Sequence, residues 1–137
     1  PSGKGWAPLF WQIIEGKNII TFSLIEATRE VDAGPIYLQK DLVLSGFELN
    51  REIREKQAKL SIDMCLEFVE NVSSMKAPVI QVGEESFYRK RTPADSQLDI
   101  SKSLEQQFNL LRIVDNDQYP AFFDIGGQRY VIKIEKY

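Results

Sequence analysis

A single carboxylate occupies a short loop whose other residues are apolar or conformationally restricted. The stretch Val31–Ile36 reads VDAGPI, so Asp32 lies between apolar neighbours and a Gly-Pro step. Such neighbours limit the freedom of the acidic side chain, as in carboxylates that orient a substrate or transfer a proton. An aspartate that only forms a turn would show the same spacing, and the loop does not decide between the two.

A glycine-rich loop precedes the first predicted helix. It reads GKGWAP over residues 3–8, and it places free backbone N–H groups and the positive end of a helix dipole where an anion could bind. The spacing matches neither the dinucleotide fingerprint nor the Walker loop. A tight loop that packs Trp6 and Trp11 is the structural alternative.

Three consecutive cations, Arg89, Lys90 and Arg91, stand beside a Thr-Pro turn. They favour a solvated basic patch, with a phosphate or diphosphate contact as the alternative.

The composition excludes several kinds of site. The chain has no histidine and one cysteine, Cys65, so we expect no metal site and no internal disulfide. We expect that cysteine to be buried on a helix. The net charge of −3 disfavours nucleic acid as a partner.

The N-terminal half predicts a helix, two strands and a long helix. The helix covers Pro8–Glu15, the strands cover 18–25 and 36–44, and the long helix runs from about Glu48 to Val72. The two strands form a hairpin-like pair whose connection presents the carboxylate. Apolar residues recur most densely in the second half of the long helix, so we expect that half to be the more buried, partly against surface from outside this chain.

The C-terminal half begins with a connecting region over residues 73–100, in which short extended pieces are expected at 79–82 and 86–89. A helix is predicted over 103–114. A hairpin follows, with strands at 121–125 and 129–136 joined at Gly126-Gly127.

These elements predict an α/β fold of two parts, the first covering residues 1–80 and the second, a small α+β subdomain with a terminal hairpin, covering 81–137. No apolar run approaches the length of a membrane span, and no signal peptide is visible, so cytoplasm is expected. The chain starts at Pro1 without methionine, and we expect it to be the C-terminal portion of a larger enzyme.

Four motifs together resemble one family. They are GKGWAP at residues 3–8, Trp11 with the Gly16 turn, VDAGPI at 31–36 and RTPADS at 91–96. In order and interval they are similar to the formyltransferases that use N10-formyltetrahydrofolate, over essentially the whole chain. The resemblance implies that the first part completes a Rossmann-like catalytic domain and that Pro1 ends the family's histidine-containing segment.

The resemblance also implies roles for residues. The family's catalytic set is Asn-His-Asp, in which Asp32 would be the aspartate; the asparagine and histidine have no counterpart here, so this chain alone should be inactive. The other implied residues are Glu30, Val31, Ala33 and Gly34 for the folate pterin, and Lys4, Gly5, Trp6 and Arg91 for the substrate.

The glycine-rich loop and residues 87–96 are closer in sequence to the corresponding segments of enzymes that formylate a nucleotide-linked amino-deoxy sugar for surface polysaccharide. A fragment of methionyl-tRNA formyltransferase is the second reading, and a non-catalytic module for sugar binding or assembly is the third. A truncated sheet edge could also pair two copies, so a homodimer stays open.

Overall fold

A computed structural model describes residues 2–137; Pro1, where we expect the family's preceding segment to end, lies outside them. The elements are β1 (Lys4–Gly5), α1 (Pro8–Ile14), β2 (Ile19–Ile25), β3 (Ile36–Val43), α2 (Asn50–Asn71), β4 (Phe87–Tyr88), a 3-10 turn (Pro93–Ser96), α3 (Phe108–Ile113), β5 (Ala121–Ile125) and β6 (Gln128–Ile132). No helix among residues 2–137 is both long and apolar enough to cross a membrane.

Helix α1 has clear start and stop signals. Pro8 opens it, at a position where the missing N–H costs nothing. At its end Gly16 adopts a φ of 88°, and the N–H groups of Gly16 and Lys17 donate to the carbonyls of Ile13 and Gln12. This pair of bonds satisfies carbonyls that a helix end leaves free. The sequence prediction for this helix is confirmed.

Strands β2 and β3 pair antiparallel along their whole length, from Ile19 opposite Val43 to Ile25 opposite Ile36. Ile20 and Leu42 face one another in the register and are buried, while Ile19 and Val43 are exposed. Because side chains alternate between the two sides of a strand, one side of this hairpin enters the core. The connection from Glu26 to Pro35 carries Asp32.

Two hydrophobic clusters form the core. The first gathers one side of α1, the hairpin and the start of α2; the second lies under the terminal hairpin. Helix α3 joins them, because Ile113 belongs to the first and Leu111 to the second. The first cluster consists of Leu9, Phe10, Ile13, Ile20, Leu42, Leu44, Ile53 and Ile113.

A buried arginine also joins the two halves. Arg112 of α3 donates from Nε to the Glu48 carbonyl at 3.2 Å and from Nη1 to Asn18 Oδ1 at 3.1 Å. The Glu48 carboxylate lies 3.7 Å from its Nη2 and accepts the N–H of Ser45 and the ammonium of Lys56. The predicted division after residue 80 is therefore crossed by a continuous network, and it stays a prediction.

The long helix differs from its prediction in burial. Ile53 in its first half is fully buried, whereas Ile62, Leu66 and Val69 in its second half are 56–71% exposed. The expectation that the second half is the more buried is wrong within residues 2–137. The hairpin reaches that half along one side, where Tyr37 packs against Phe68, and it leaves these three side chains in solvent. Cys65 lies on this helix as predicted, but it is exposed.

The C-terminal elements are shorter than predicted. Helix α3 starts at Phe108 instead of Ser103, because the Gln107 side chain bonds both the N–H and the carbonyl of Asp99 and closes residues 99–107 into a loop. Strand β6 ends at Ile132, since Asn116 bonds the N–H and carbonyl of Ile134. The Gly126-Gly127 turn is confirmed, and both glycines have positive φ.

Candidate active site

The Asp32 loop is tightly built. Asp32 itself has a φ of 58°, a left-handed conformation that costs a residue with a side chain about 1 kcal/mol. Gly34 is buried, and a Cβ on it would lie 1.8 Å from the Glu26 carbonyl oxygen. The loop ends are joined by a bond from the Glu26 N–H to the Pro35 carbonyl. The Gly-Pro step therefore serves a close backbone approach that no larger residue allows.

The glycine-rich loop meets this carboxylate. The Gly5 N–H donates to Asp32 Oδ2 at 3.1 Å, so the two segments that the sequence marks for chemistry lie in contact. Gly5 has a φ of 99°, and a Cβ there would lie 2.4 Å from the Tyr88 carbonyl oxygen. Glycine is required at this position for the backbone to reach the carboxylate.

Residues 85–88, part of the predicted connecting region, hold the glycine-rich loop in place. The Lys4 N–H donates to the Ser86 carbonyl and the Trp6 N–H to the Tyr88 carbonyl, in a short parallel pairing of β1 with β4. The Lys4 side chain is buried, and its ammonium pairs with Glu85 at 2.5 Å. Its charge is thus engaged within the fold, although the residue lines the cavity described next.

A cavity of about 790 Å³ opens beside the carboxylate. Asp32, Gly5 and Gln81 line it together with parts of α1, the hairpin and α2. Its walls mix apolar side chains with amides, hydroxyls and a guanidinium, and such a mixed lining is typical of sites that bind small molecules. Its further polar lining comes from Gln12, Thr21, Ser23, Gln39, Arg54 and Gln57.

A half-buried carboxylate that accepts one backbone N–H and faces a cavity can accept a proton from a bound amine or orient that amine. The neighbouring backbone N–H fixes the direction of the carboxyl group. This is the chemistry that the arrangement supports.

The other residues implied for the folate lie on the same loop but do not all face the cavity. Glu30 is exposed, Val31 is 81% exposed, Ala33 is half-buried and Gly34 is buried. Of this loop, Asp32 alone is among the cavity-lining residues of the described chain.

The residues implied for the substrate divide in the same way. Gly5 and Lys4 line the cavity, whereas Trp6 and Arg91 do not. Trp6 is 62% exposed, and the Lys90 ammonium lies 5.1 Å from its ring centroid. Arg91 is half-buried with its Nε unpaired, and burial lowers its pKa.

The basic run is not a free patch. Arg89 forms a two-pronged ion pair with Asp95 and lies over the Trp11 ring, whose Nε1 donates to the Arg89 carbonyl. Burial and the neighbouring Glu15 raise the pKa of Tyr88 to about 12, so its hydroxyl stays protonated and donates to that carboxylate. These contacts brace α1 against β4, and of the three cations Lys90 is the most open to a ligand.

Gln81 and Tyr88 are parts of the site that the sequence did not predict. Both lie in the region taken as a connection. The one available signal was the expectation of short extended pieces at 79–82 and 86–89, because extended backbone can pair with the loops beside it.

No family model matches the chain. Among curated relatives, it is 28% identical over 128 residues to the methionyl-tRNA formyltransferase of Pseudothermotoga lettingae, covering 93% of this chain and 42% of the relative. It is 23% identical over 138 residues to the enzyme of the same name from Mycoplasma capricolum, covering 99% and 43%. The chain therefore spans less than half the length of these relatives.

Among solved structures, methionyl-tRNA formyltransferase from Clostridium thermocellum matches all of this chain and 59% of its own, with a TM-score of 0.83 and 26% identity. A sugar N-formyltransferase from a Shewanella species matches with a TM-score of 0.76 and 16% identity, over 100% and 58%. HypX from Aquifex aeolicus in complex with tetrahydrofolic acid matches with 0.72 and 21%, over 98% and 24%. The latter two share the fold. Together with the curated relatives, these matches confirm the resemblance to formyltransferases.

Proposed function

We propose that this chain forms the aspartate-bearing part of an enzyme that transfers a formyl group from N10-formyltetrahydrofolate to the amine of a nucleotide-linked amino-deoxy sugar. The observation that carries the proposal is the Asp32 carboxylate, fixed by the Gly5 N–H at the edge of a cavity, in a chain related to formyltransferases. The family's asparagine and histidine would come from residues outside this chain.

In this reaction a single carboxylate needs only to bind and release a proton. The folate supplies the formyl carbon; a bond forms between that carbon and the acceptor nitrogen, and its bond to the donor nitrogen breaks. The acceptor amine loses a proton, which ends on the donor nitrogen. Asp32 can take or hold that proton, and the Gly5 N–H keeps its carboxyl group aimed into the cavity. The cavity, at about 790 Å³, is large enough for a pterin-sized ligand.

A sugar acceptor is favoured by the charge and by the surface beside the site. The net charge of −3 gives the chain no general attraction to a polyanion such as tRNA. The exposed Trp6 ring with the Lys90 ammonium beside it offers an apolar face and one cation, which suits a nucleotide-linked sugar. In this proposal Lys4, Gly5, Trp6 and Arg91 belong to the substrate side of the cleft.

Methionyl-tRNA is the second candidate acceptor, because both curated relatives and the Clostridium structure are methionyl-tRNA formyltransferases. We place the reaction in the cytoplasm in either case. The proposal also includes a Rossmann-like domain that ends near residue 80, a small subdomain after it, and the pairing of two copies of the chain.

The test is an assay of the complete encoded protein that contains this chain. With N10-formyltetrahydrofolate and a dTDP- or UDP-linked amino sugar, we expect the N-formyl sugar to accumulate, and we expect initiator methionyl-tRNA to stay unmodified and unbound at low salt. Formylation of the tRNA alone would show that methionyl-tRNA, and not the sugar, is the acceptor. Formylation of neither acceptor would support a non-catalytic module, as would a reading frame that supplies no Asn-x-His segment before Pro1.

A further inference from the structure

Gln81 reaches from the connecting region to the backbone of the Asp32 loop. Its side-chain amide donates both of its hydrogens, one to the Asp32 carbonyl at 3.0 Å and one to the Gly34 carbonyl at 2.7 Å. Within residues 2–137 it is the one side chain outside the loop that hydrogen-bonds to the backbone of residues 27–34. One of the two bonds therefore holds the backbone of the residue that carries the carboxylate, and the other holds the backbone two residues later.

The position of Gln81 is itself fixed. Two residues earlier, Val79 exchanges both backbone bonds with Ile36, at 2.7 and 2.9 Å, where β3 leaves the loop. Gln81 thus extends from a point anchored to the strand, and this half-buried residue lines the same cavity as Asp32. An asparagine would be one methylene too short to reach both carbonyls, and a glutamate would bring acceptors where donors are needed.

The loop needs such a support. Asp32 adopts a left-handed φ of 58°, and a strained residue persists only where the surrounding structure determines it. The contact between its carboxylate and Gly5 is made at the exposed end of the loop. Without the bonds to the two carbonyls, residues 32–34 keep no hydrogen bond to the rest of the described chain apart from that contact.

We propose that Gln81 is a positioning residue for formyl transfer: by clamping the carbonyls of Asp32 and Gly34, it holds the Asp32 carboxylate against the Gly5 N–H at the cavity. The catalytic part of this inference rests on the proposed function, whereas the positioning part does not. Gln81 itself need not touch either substrate.

The positioning part is tested by amide hydrogen exchange of Gly5, followed by NMR in this chain. In Gln81→Met, which keeps the length of the side chain but has no donor, we expect the Gly5 amide to exchange at least about tenfold faster. The Phe123 amide in the terminal hairpin should keep its rate, which separates loop release from general unfolding. Gln97→Met is the matched control, since it removes the amide that donates to Asp124 far from the loop. Equal Gly5 exchange in wild type and Gln81→Met would overturn the proposal.

The catalytic part is tested by steady-state kinetics of the complete protein. We expect Gln81→Met to lower kcat about 10- to 100-fold with the KM of either substrate changed less than about threefold, because the groups that touch substrate remain. Gln81→Glu should behave alike, and Gln97→Met should match wild type. A wild-type kcat in Gln81→Met would contradict the role in catalysis. If the wild-type protein transfers no formyl group, the proposed function fails, and the Gly5 exchange still decides what Gln81 does.

Discussion

At the scale of single residues, the candidate site depends on close backbone approaches. Gly34 and Gly5 stand where a Cβ would collide with the carbonyl oxygens of Glu26 and Tyr88. The limited space around both glycines therefore requires them, as much as any chemistry of their motifs does. One loop carries the carboxylate, and the other carries the N–H group that donates a hydrogen bond to it.

Replacing Gly34 by alanine should be far more costly than the same change at an open glycine. The new methyl carbon would meet a backbone oxygen at 1.8 Å, so the loop must move, and we expect a loss of about 3 kcal/mol in the free energy of unfolding. Gly16→Ala is the control: it has open space but a φ of 88°, and should cost about 1 kcal/mol. Urea unfolding measures both, and equal losses would contradict the close approach at Gly34.

At the scale of elements, the carboxylate of Glu48 connects the start of α2 to the preceding turn and to α3. Burial acts to raise its pKa, but the bonds from the Lys56 ammonium and the Ser45 N–H outweigh it and lower the pKa to about 2. The side chain is buried beside Arg112, and the Lys56 ammonium pairs with it at 2.6 Å. The charged form of this group therefore belongs to the folded state.

The pH dependence of stability follows with a definite sign. Because the folded state holds Glu48 ionised down to about pH 2 and the unfolded state protonates it near 4.5, its contribution is complete above pH 4.5. It is lost as the pH falls toward 2, by up to about 3 kcal/mol. Urea titrations of wild type and Glu48→Gln between pH 2 and 6 should reveal a smaller slope in the variant. Glu70→Gln, at an exposed position of the same helix, should keep the wild-type slope, and identical slopes in all three proteins would contradict the account.

The two halves of α2 should respond differently to the same substitution. Ile53 is fully buried in the first core cluster, so Ile53→Ala should lower the free energy of unfolding by about 2–4 kcal/mol. Ile62 is 59% exposed, and Ile62→Ala should cost less than about 0.5 kcal/mol. Comparable losses in thermal or urea unfolding would mean that this chain covers the second half of the helix in solution.

At the scale of the whole molecule, the two predicted parts are joined by β1–β4 pairing, by Ile113 in the first cluster and by Arg112. We expect a chain ending at residue 80 to lack cooperative unfolding, because it loses all three. Circular dichroism during thermal unfolding of residues 1–80, with the full chain as control, measures this. A cooperative transition in the short chain would favour an independent first unit.

The sequence predicted the elements that local signals define. Pro8 and Gly16 bound α1, apolar alternation marks the hairpins, and the Gly126-Gly127 pair marks a turn. It could not predict the burial of α2, since the face around Leu66 is apolar whether or not a partner covers it. Nor could it predict where α3 begins, because Gln107 competes with the helix through side-chain bonds that no periodicity reveals.

The site, like the fold, was predictable where local motifs define it and not where long-range contacts do. Motif spacing brought out Asp32 and the glycine-rich loop, and the structure places them in contact. Gln81 gave no signal of its own, because a glutamine in a polar connection looks like any other solvated residue. Its role depends on a long-range approach, across 49 residues of chain to Asp32.

The most direct test of the central claim is the turnover of Asp32→Asn in the complete encoded protein. The amide keeps the size of the side chain but cannot take a proton, so we expect kcat to fall by about 100- to 10,000-fold while the protein stays folded. Asp63→Asn, which breaks only the exposed helix pair with Lys59, should turn over like wild type. Wild-type turnover by Asp32→Asn would contradict the account.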